Sequence, residues 1–450
     1  MEPVEGISAA SSALISVNTM LGPGLVAIPA AFQAGGWVPN MIGLTVGGLV
    51  TADVAVLFSQ TIKRTRAQAL ARDDLSGEVL PPQKWEFVNL ARHLGGPSLE
   101  RATQILLSVS LLALACAQII VTAQAMDGLV VWVLGRTYAL APSSSDSWLL
   151  VSNKLSVMPF PENTYGVSLG FALNAVVCIA LGCLPLASNI EPQYVFFALF
   201  NFALGVFIWH FLNPHCDPIV LGDDRLPSIG PNLSGVPGII IFNYAYIVAV
   251  PSLVADTRPK ERFGRWMWVA VSFMWLMYAA YGLSGSLAFQ EVRDNVLRSI
   301  LRAEVPAVSK AGVFALSIAL QPSIPVYVVL LARNIAEVGI PGPTILANLV
   351  PWSLALLCYM QSWFAMIINW SGLLVLGFIN YSVPLALVIL QARNDKGDEN
   401  VGDVRVVHRT VQTGYTWRML RCWTYFYGMN ALILACIVWN VSIAAFGANG

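Results

Sequence analysis

The chain has 450 residues, 56% hydrophobic and 11% charged, with a mean hydropathy of +0.67. A soluble domain carries roughly 25% charged residues, so most of this surface is expected to face lipid. The 25 Lys and Arg balance the 25 Asp and Glu, which argues against nucleic acid as a partner. Seven cysteines and four histidines lie scattered without metal-ligand spacing, so no metal, disulfide framework or cofactor is expected.

Residues 1–6 (MEPVEG) carry two acids and no base, unlike a secretory signal, so the first apolar run is read as a retained span. Runs long enough to cross hydrocarbon fall at 7–33, 38–62, 102–134, 165–185, 191–212, 236–255, 264–289, 309–335, 344–368, 370–391 and 421–446. The division between the ninth and tenth, near Asn369, follows from length alone. These runs predict an all-α polytopic membrane protein of about eleven transmembrane helices, one domain over 1–450.

With the N-terminus in the cytosol, 18 of the 25 Lys and Arg fall on cytosolic segments and seven outside, so the positive-inside rule selects that orientation. The long cytosolic loops are then 63–101 and 392–420. The outer loop 135–164 contains APSSSDS and is read as mobile, and Asn232-Leu-Ser is a glycosylation sequon, used or unused. With no recognisable address, the plasma membrane and vacuole- or lysosome-like membranes are both open.

Gly22-Pro23-Gly24, inside NTMLGPGLVAIPA (18–30), is the strongest local signal. Proline removes a donor and clashes with the carbonyl one turn back, and each glycine weakens the helix further. Three in a row predict an unwound span, tolerated at that depth only inside protein or beside a polar cavity. Freed N–H groups at Gly22–Gly24 suit an anion such as a carboxylate, while carbonyls at the end of the first half, with Asn18 and Thr19, suit a cation. A plain kink that lets helices pack closely is the alternative, and the residues alone leave both open.

The sixth run, GVPGIIIFNYAYIVAVPSLVADTRPK (235–260), carries a polar cluster at Asn243, Tyr244, Ala245 and Tyr246, with Pro251 beyond it. LVAIPAAF (25–32) and IVAVPSLV (247–254) echo one another, and their runs open two five-span blocks, 7–212 and 236–391. Interrupted helices at matching places in inverted repeats point to a midplane transport site. In LQPSIPVY (320–327), Ser323 stands between prolines, either serving a coupling ion or bonded back to its own helix. Asp53 and Asp127 lie toward span ends, each a candidate proton carrier or a solvated acid. WMW (266–268) and CWTYFY (422–427), at span starts, read as interfacial belts.

The motif Asn18…Gly22-Pro-Gly24-Leu25…Ile28-Pro29-Ala-Ala31-Phe32…Gly35-Gly36-Trp37 resembles the first span of the amino acid/auxin permease family, within the amino acid–polyamine–organocation superfamily. The sixth run is similar to vesicular and vacuolar members, and Ser323-Ile-Pro325-Val326 to the neutral amino-acid branch. The resemblance implies a LeuT-type 5+5 inverted repeat with broken helices 1 and 6, plus an extra C-terminal helix at 421–446. It implies a carboxylate on Gly22–Gly24, an ammonium on carbonyls around Phe242–Ala245 and, as in the family's sodium-using branch, an ion between Asn18 and Ser323, the driving ion itself, H+ or Na+, staying open. Pro23 departs from the family's small residue and removes one N–H from the carboxylate site.

The function expected is alternating-access secondary transport of small amino acids, with the bilayer and the solute as partners and no obligate protein partner. A receptor that binds the same ligand without net transport is the alternative. An enzyme is not expected, because the only candidate pair of acids, Asp53 and Asp127, falls near opposite faces.

Overall fold

Glycine and proline decide where the first of these helices stops. A computed structural model describes residues 7–76, 86–142, 148–161, 164–183, 190–212, 226–258, 262–289, 292, 295–302, 307–360, 364–398 and 408–447. Helix α1 (Ala9–Met20) halts at the glycine–proline step, and α2 (Ile28–Gly35) resumes after a 3-10 turn at Pro23–Ala27. Then come α3 (Trp37–Ser76), α4 (Phe87–Leu134), α5 (Leu169–Gly182), α6 (Ile190–Leu212), α7 (Val236–Asn243), α8 (Val250–Asp256) and α9 (Phe263–Ala288). The chain continues with α10 (Val296–Arg302), α11 (Ala307–Leu320), α12 (Ser323–Glu337), α13 (Pro343–Cys358), α14 (Phe364–Ser371), α15 (Val383–Asp398) and α16 (His408–Gly447).

Among the described residues, seven helices are long and apolar enough to cross a membrane, or eight if α1 and Pro23–Gly35, bent by 45° at their break, form one span. Three shorter apolar helices, Leu169–Gly182, Gln193–Trp209 and Pro343–Cys358, stand where the fourth, fifth and ninth runs were expected.

Several sequence expectations change. The expected division at Asn369 lies earlier: α13 ends at Cys358, and Met366–Asn394 forms one span in which π-helical turns replace a loop. Most of the expected cytosolic loop 63–101 is helical, because α3 runs on to Ser76 and α4 begins at Phe87. Much of 392–420 is likewise helical, in α15 and α16. The outer loop 135–164 contains strands β2 (Thr137–Leu140) and β3 (Leu149–Ser152), which pair antiparallel, with β4 (Val167–Ser168) on the other edge of β2. Residues 143–147, most of APSSSDS, lie outside the described residues.

Two packed groups emerge. α4, α5, α12 and α13 pack on one another, while α1, α2, α3, α7 and α9 form a second group. The first and sixth spans lie side by side and antiparallel. At one end β1 (Ile7–Ser8) pairs with β5 (Thr257–Arg258), and at the other Gly230 N–H donates to Gly35 O at 2.9 Å. Between them the interior is rich in tyrosine: Tyr244, Tyr246, Tyr278, Tyr281, Tyr327 and Tyr381 are fully buried. Their hydroxyls need partners there, which makes this interior a polar one.

Asp127 shows how the end of the bundle away from β1 and β5 is fixed. Its carboxylate is fully buried and accepts from Thr137 Oγ1 at 3.0 Å, Gly170 N at 2.9 Å, Ser168 Oγ and Tyr359 Oη. One acid thus pins α4 to the sheet, to α5 and to the end of α13. It is not a solvated acid at an interface. Removing it leaves several donors without an acceptor, at about 1–3 kcal/mol for each buried orphan. Asp127→Ala is therefore expected to lower the melting temperature in detergent well below that of Asp127→Asn, which keeps one acceptor oxygen. Equal melting of the two would remove Asp127 from this role.

Candidate functional site

The two interrupted spans break in the same way. α1 gives way to a 3-10 segment at Pro23–Ala27, and α2 then carries Pro29 in its first turn. α7 gives way to a turn at Tyr244–Tyr246 and a 3-10 segment at Ile247–Ala249, and α8 carries Pro251 at the matching place. The echo between 25–32 and 247–254 is thus a structural one. In each copy an alanine ends the 3-10 turn, and the proline sits where a helix tolerates a missing N–H.

Gly22 and Gly24 differ in their demands. Gly22 is extended (φ −98, ψ 177), and a Cβ there would meet nothing closer than Met20 O at 3.8 Å. A Cβ on Gly24 would lie 2.7 Å from both Asn243 amide atoms. Asn243 is not free to retreat, because its Nδ2 donates to Ile239 O at 2.8 Å. Gly24 is the point at which the two broken spans touch.

The donors at this break are fewer than three. Gly22 N–H turns onto Met20 O at 2.7 Å, Pro23 has none, and Leu25 N–H turns onto Gly22 O at 3.1 Å. The carbonyls, by contrast, converge on tyrosines. Tyr327 Oη donates to Thr19 O at 2.8 Å. Tyr278 Oη lies 2.5 Å from Met20 O and 2.9 Å from Asn243 O, one hydroxyl between the ends of both half-helices. Asn380, from the π-helical stretch Phe378–Ser382, accepts from Ile247 N–H at 3.0 Å and so caps the second break. Asn18 Oδ1 in the last turn of α1, Asn243 Oδ1 at the end of α7 and Tyr246 Oη in the turn after it are buried without a partner. Unmet polar atoms beside both backbone breaks are what a ligand would satisfy.

The remaining predicted residues have other partners. Thr19 Oγ1 donates back to Ile15 O at 2.7 Å, and Tyr244 Oη donates to Leu44 O at 3.1 Å. Phe242 O accepts from Ala245 N–H at 3.2 Å. Asn18 Nδ2 donates to Gln193 Oε1 at 2.5 Å, and Gln193 Nε2 donates to Pro322 O at 3.3 Å. Ser323 Oγ donates across the break to Leu320 O, the last carbonyl of α11, at 2.8 Å, and Gln118 Nε2 donates to the same carbonyl. The third break, between α11 and α12, is therefore lined with amide donors. Asn18 and Ser323 belong to one polar chain through Gln193 and Pro322, but each has its own partner. Asp53 Oδ2 lies 3.0 Å from Arg421 Nε, an ion pair that ties α3 to α16.

Glu86, just before α4, joins the first packed group to α8, which packs on α3 of the second, at the end where β1 meets β5. It accepts from Ser252 Oγ of α8 at 2.7 Å and from Arg333 of α12 at 3.0 Å, and Arg333 also reaches Asp256 at 3.9 Å. Burial pushes the Glu86 carboxyl above its usual range, against the pull of Arg333 and Ser252. The start of the first span lies at the same end, with Ser12 Oγ 2.5 Å from Thr257 Oγ1, while Arg333, Glu86 and Ser252 supply the link between groups.

Sequence reasoning missed Tyr278, Tyr327, Gln193, Glu86 and Asn380. Only Asn380 left a signal, in the polar triplet Asn380-Tyr381-Ser382 within an apolar run.

Residues 5–442 match the family described as "Transmembrane amino acid transporter protein". Among solved structures the chain is similar to a manganese transporter mutant from Eremococcus coleocola. The likeness has 11% identity and a TM-score of 0.51, and covers 96% of this chain and 93% of that one. At that identity it speaks for the fold alone. No curated protein matches the chain. Among the described residues, no group of three or more His, Cys, Asp or Glu is placed to hold a metal ion.

Overpacking a buried contact costs about 1–3 kcal/mol. Gly24→Ala is expected to lower the melting temperature by several degrees as Asn243 is forced off Ile239, while Gly22→Ala leaves it close to wild type. Similar melting of both variants would mean that Gly24 is not the contact point.

Proposed function

The chain belongs to the transmembrane amino acid transporter family, and from that premise we propose that it moves small amino acids across a membrane by alternating access. The carrying observation is the pair of matched interruptions with buried, unpartnered Asn18 Oδ1, Asn243 Oδ1 and Tyr246 Oη around them. An α-amino acid meets that demand, since it brings an anion and a cation on adjacent atoms. Its carboxylate goes to the Gly24 side of the first break, where the 3-10 segment begins. Its ammonium goes to the carbonyls of Met20 and Asn243.

The rest of the mechanism follows the two packed groups. The group of α1, α2, α3, α7 and α9 rocks against α4, α5, α12 and α13. β1 and β5 bind the start of the first span to the end of the sixth, so those ends move together. The contacts of Glu86 with Ser252 and Arg333 cross the groups and have to part when the inner side opens. Eleven spans, counting the three shorter helices, and a cytosolic N-terminus complete the arrangement. The membrane is a plasma or vacuole-like one.

Proton coupling fits this site better than sodium. A sodium ion needs several free oxygens, but Leu320 O receives Gln118 Nε2 and Ser323 Oγ, and Pro322 O receives Gln193 Nε2, so that only the amide oxygens Asn18 Oδ1 and Gln118 Oε1 are left unpartnered there. Neutral amides thus stand where a cation would.

The deciding experiment is uptake of the twenty amino acids into liposomes holding the purified protein, with proton and sodium gradients imposed separately. Uptake of small amino acids is expected to rise with an inward proton gradient and to be unchanged when choline replaces sodium. Binding without flux would reject transport in favour of a receptor. Flux that requires sodium would overturn the coupling.

A further inference from the structure

Tyr278 sits where no packing argument alone would put a hydroxyl. Its ring is fully buried and stands edge-on to Tyr244, with centroids 5.5 Å apart. Its Oη is within hydrogen-bond distance of Met20 O and of Asn243 O, the last carbonyl of α1 and the last carbonyl of α7. A phenol has one proton to donate, so the two acceptors share it. Phenylalanine would fill the same volume, leaving Met20 O to Gly22 N–H and taking from Asn243 O the hydroxyl it accepts from.

We propose that Tyr278 is a placeholder for the substrate's amino group. Its hydroxyl satisfies the two half-helix carbonyls when the site is empty, and a primary ammonium displaces it from both on binding. This inference rests on the proposed amino-acid site and adds a residue that sets its affinity. An ammonium carries three N–H donors and a full charge, so it serves both carbonyls at once where the phenol serves them in turn. Tyr327, one hydrogen bond away on Thr19 O, holds only the first half-helix and does not join the two.

The role is one of competition. Binding breaks the tyrosine's bonds before it gains the ammonium's, so part of the ligand's interaction offsets what the empty site already had. The offset keeps the affinity moderate and lets the substrate leave, because the hydroxyl is at hand to take the carbonyls back. Without the hydroxyl the empty site is left with Asn243 O unpartnered, and the ligand gains the whole of its contact. The change should appear as tighter binding and slower release, not as lost binding.

The test is saturation uptake of L-alanine into liposomes by wild type and Tyr278→Phe, with ligand-free melting of each in detergent. A second variant carries 3,5-difluorotyrosine at position 278, which keeps the ring and makes its O–H a stronger donor. Tyr278→Phe is expected to lower KM about tenfold, one order of magnitude for 1.4 kcal/mol, with a reduced maximal rate and a lower ligand-free melting temperature. Difluorotyrosine is expected to raise KM. A residue that only packs would change the active fraction and leave KM where it was in both variants. That result, with wild-type uptake intact, overturns the placeholder and leaves the transport function standing. Should Tyr278→Phe not be recovered folded, the difluorotyrosine variant decides alone, and an unchanged KM there rejects the proposal. If the wild type neither takes up nor is stabilised by L-alanine or any other amino acid, the proposed function fails, and this inference with it.

Discussion

Inside hydrocarbon no water is present to receive a peptide group released from its helix. Three spans of this protein release such groups, and side chains from other helices meet them. Tyr327 serves Thr19 O, Tyr278 serves Met20 O and Asn243 O, and Asn380 serves Ile247 N–H. At the break between α11 and α12, Gln118 and Gln193 serve Leu320 O and Pro322 O. The buried tyrosines and amides follow from this requirement, and so does the site: groups that side chains hold reversibly are groups that a solute can take over.

The ties divide by what they join. The β1–β5 pairing and the Asp127 network each fasten neighbouring elements, at opposite ends of the bundle. Glu86 joins α4 to both α8 and α12, a link between elements and not within one. Bonds of the first kind give each group its shape. In the proposed rocking motion, the second kind is what has to part for one side of the site to open.

How far the sequence carries this picture depends on whether the signal is local. Gly22-Pro23-Gly24 and Pro251 announce their breaks because proline and glycine act on their own helix. The family likeness of the first span was legible for the same reason, and the full-length family match agrees with it. Tyr278 was not legible, because its partners lie 258 and 35 residues away and a tyrosine within a span carries no mark of what it touches. Asp127 looked like a solvated acid because nothing near it in sequence foretells Tyr359, 232 positions on. The misplaced boundary at Asn369 has a similar origin. The π-helical turns that follow it keep an unbroken apolar pattern, so hydropathy alone cannot separate a loop from a wide turn.

The central claim is that an amino acid takes over backbone groups at two facing breaks. Hydrogen–deuterium exchange of the protein in lipid nanodiscs, with and without a transported amino acid, tests it most directly. Peptides covering 19–25 and 242–248 should both gain protection when the amino acid is added, while the Asp127 region at 124–130 stays unchanged. Protection elsewhere with both of those segments unaltered, under conditions where the solute is carried, would contradict it.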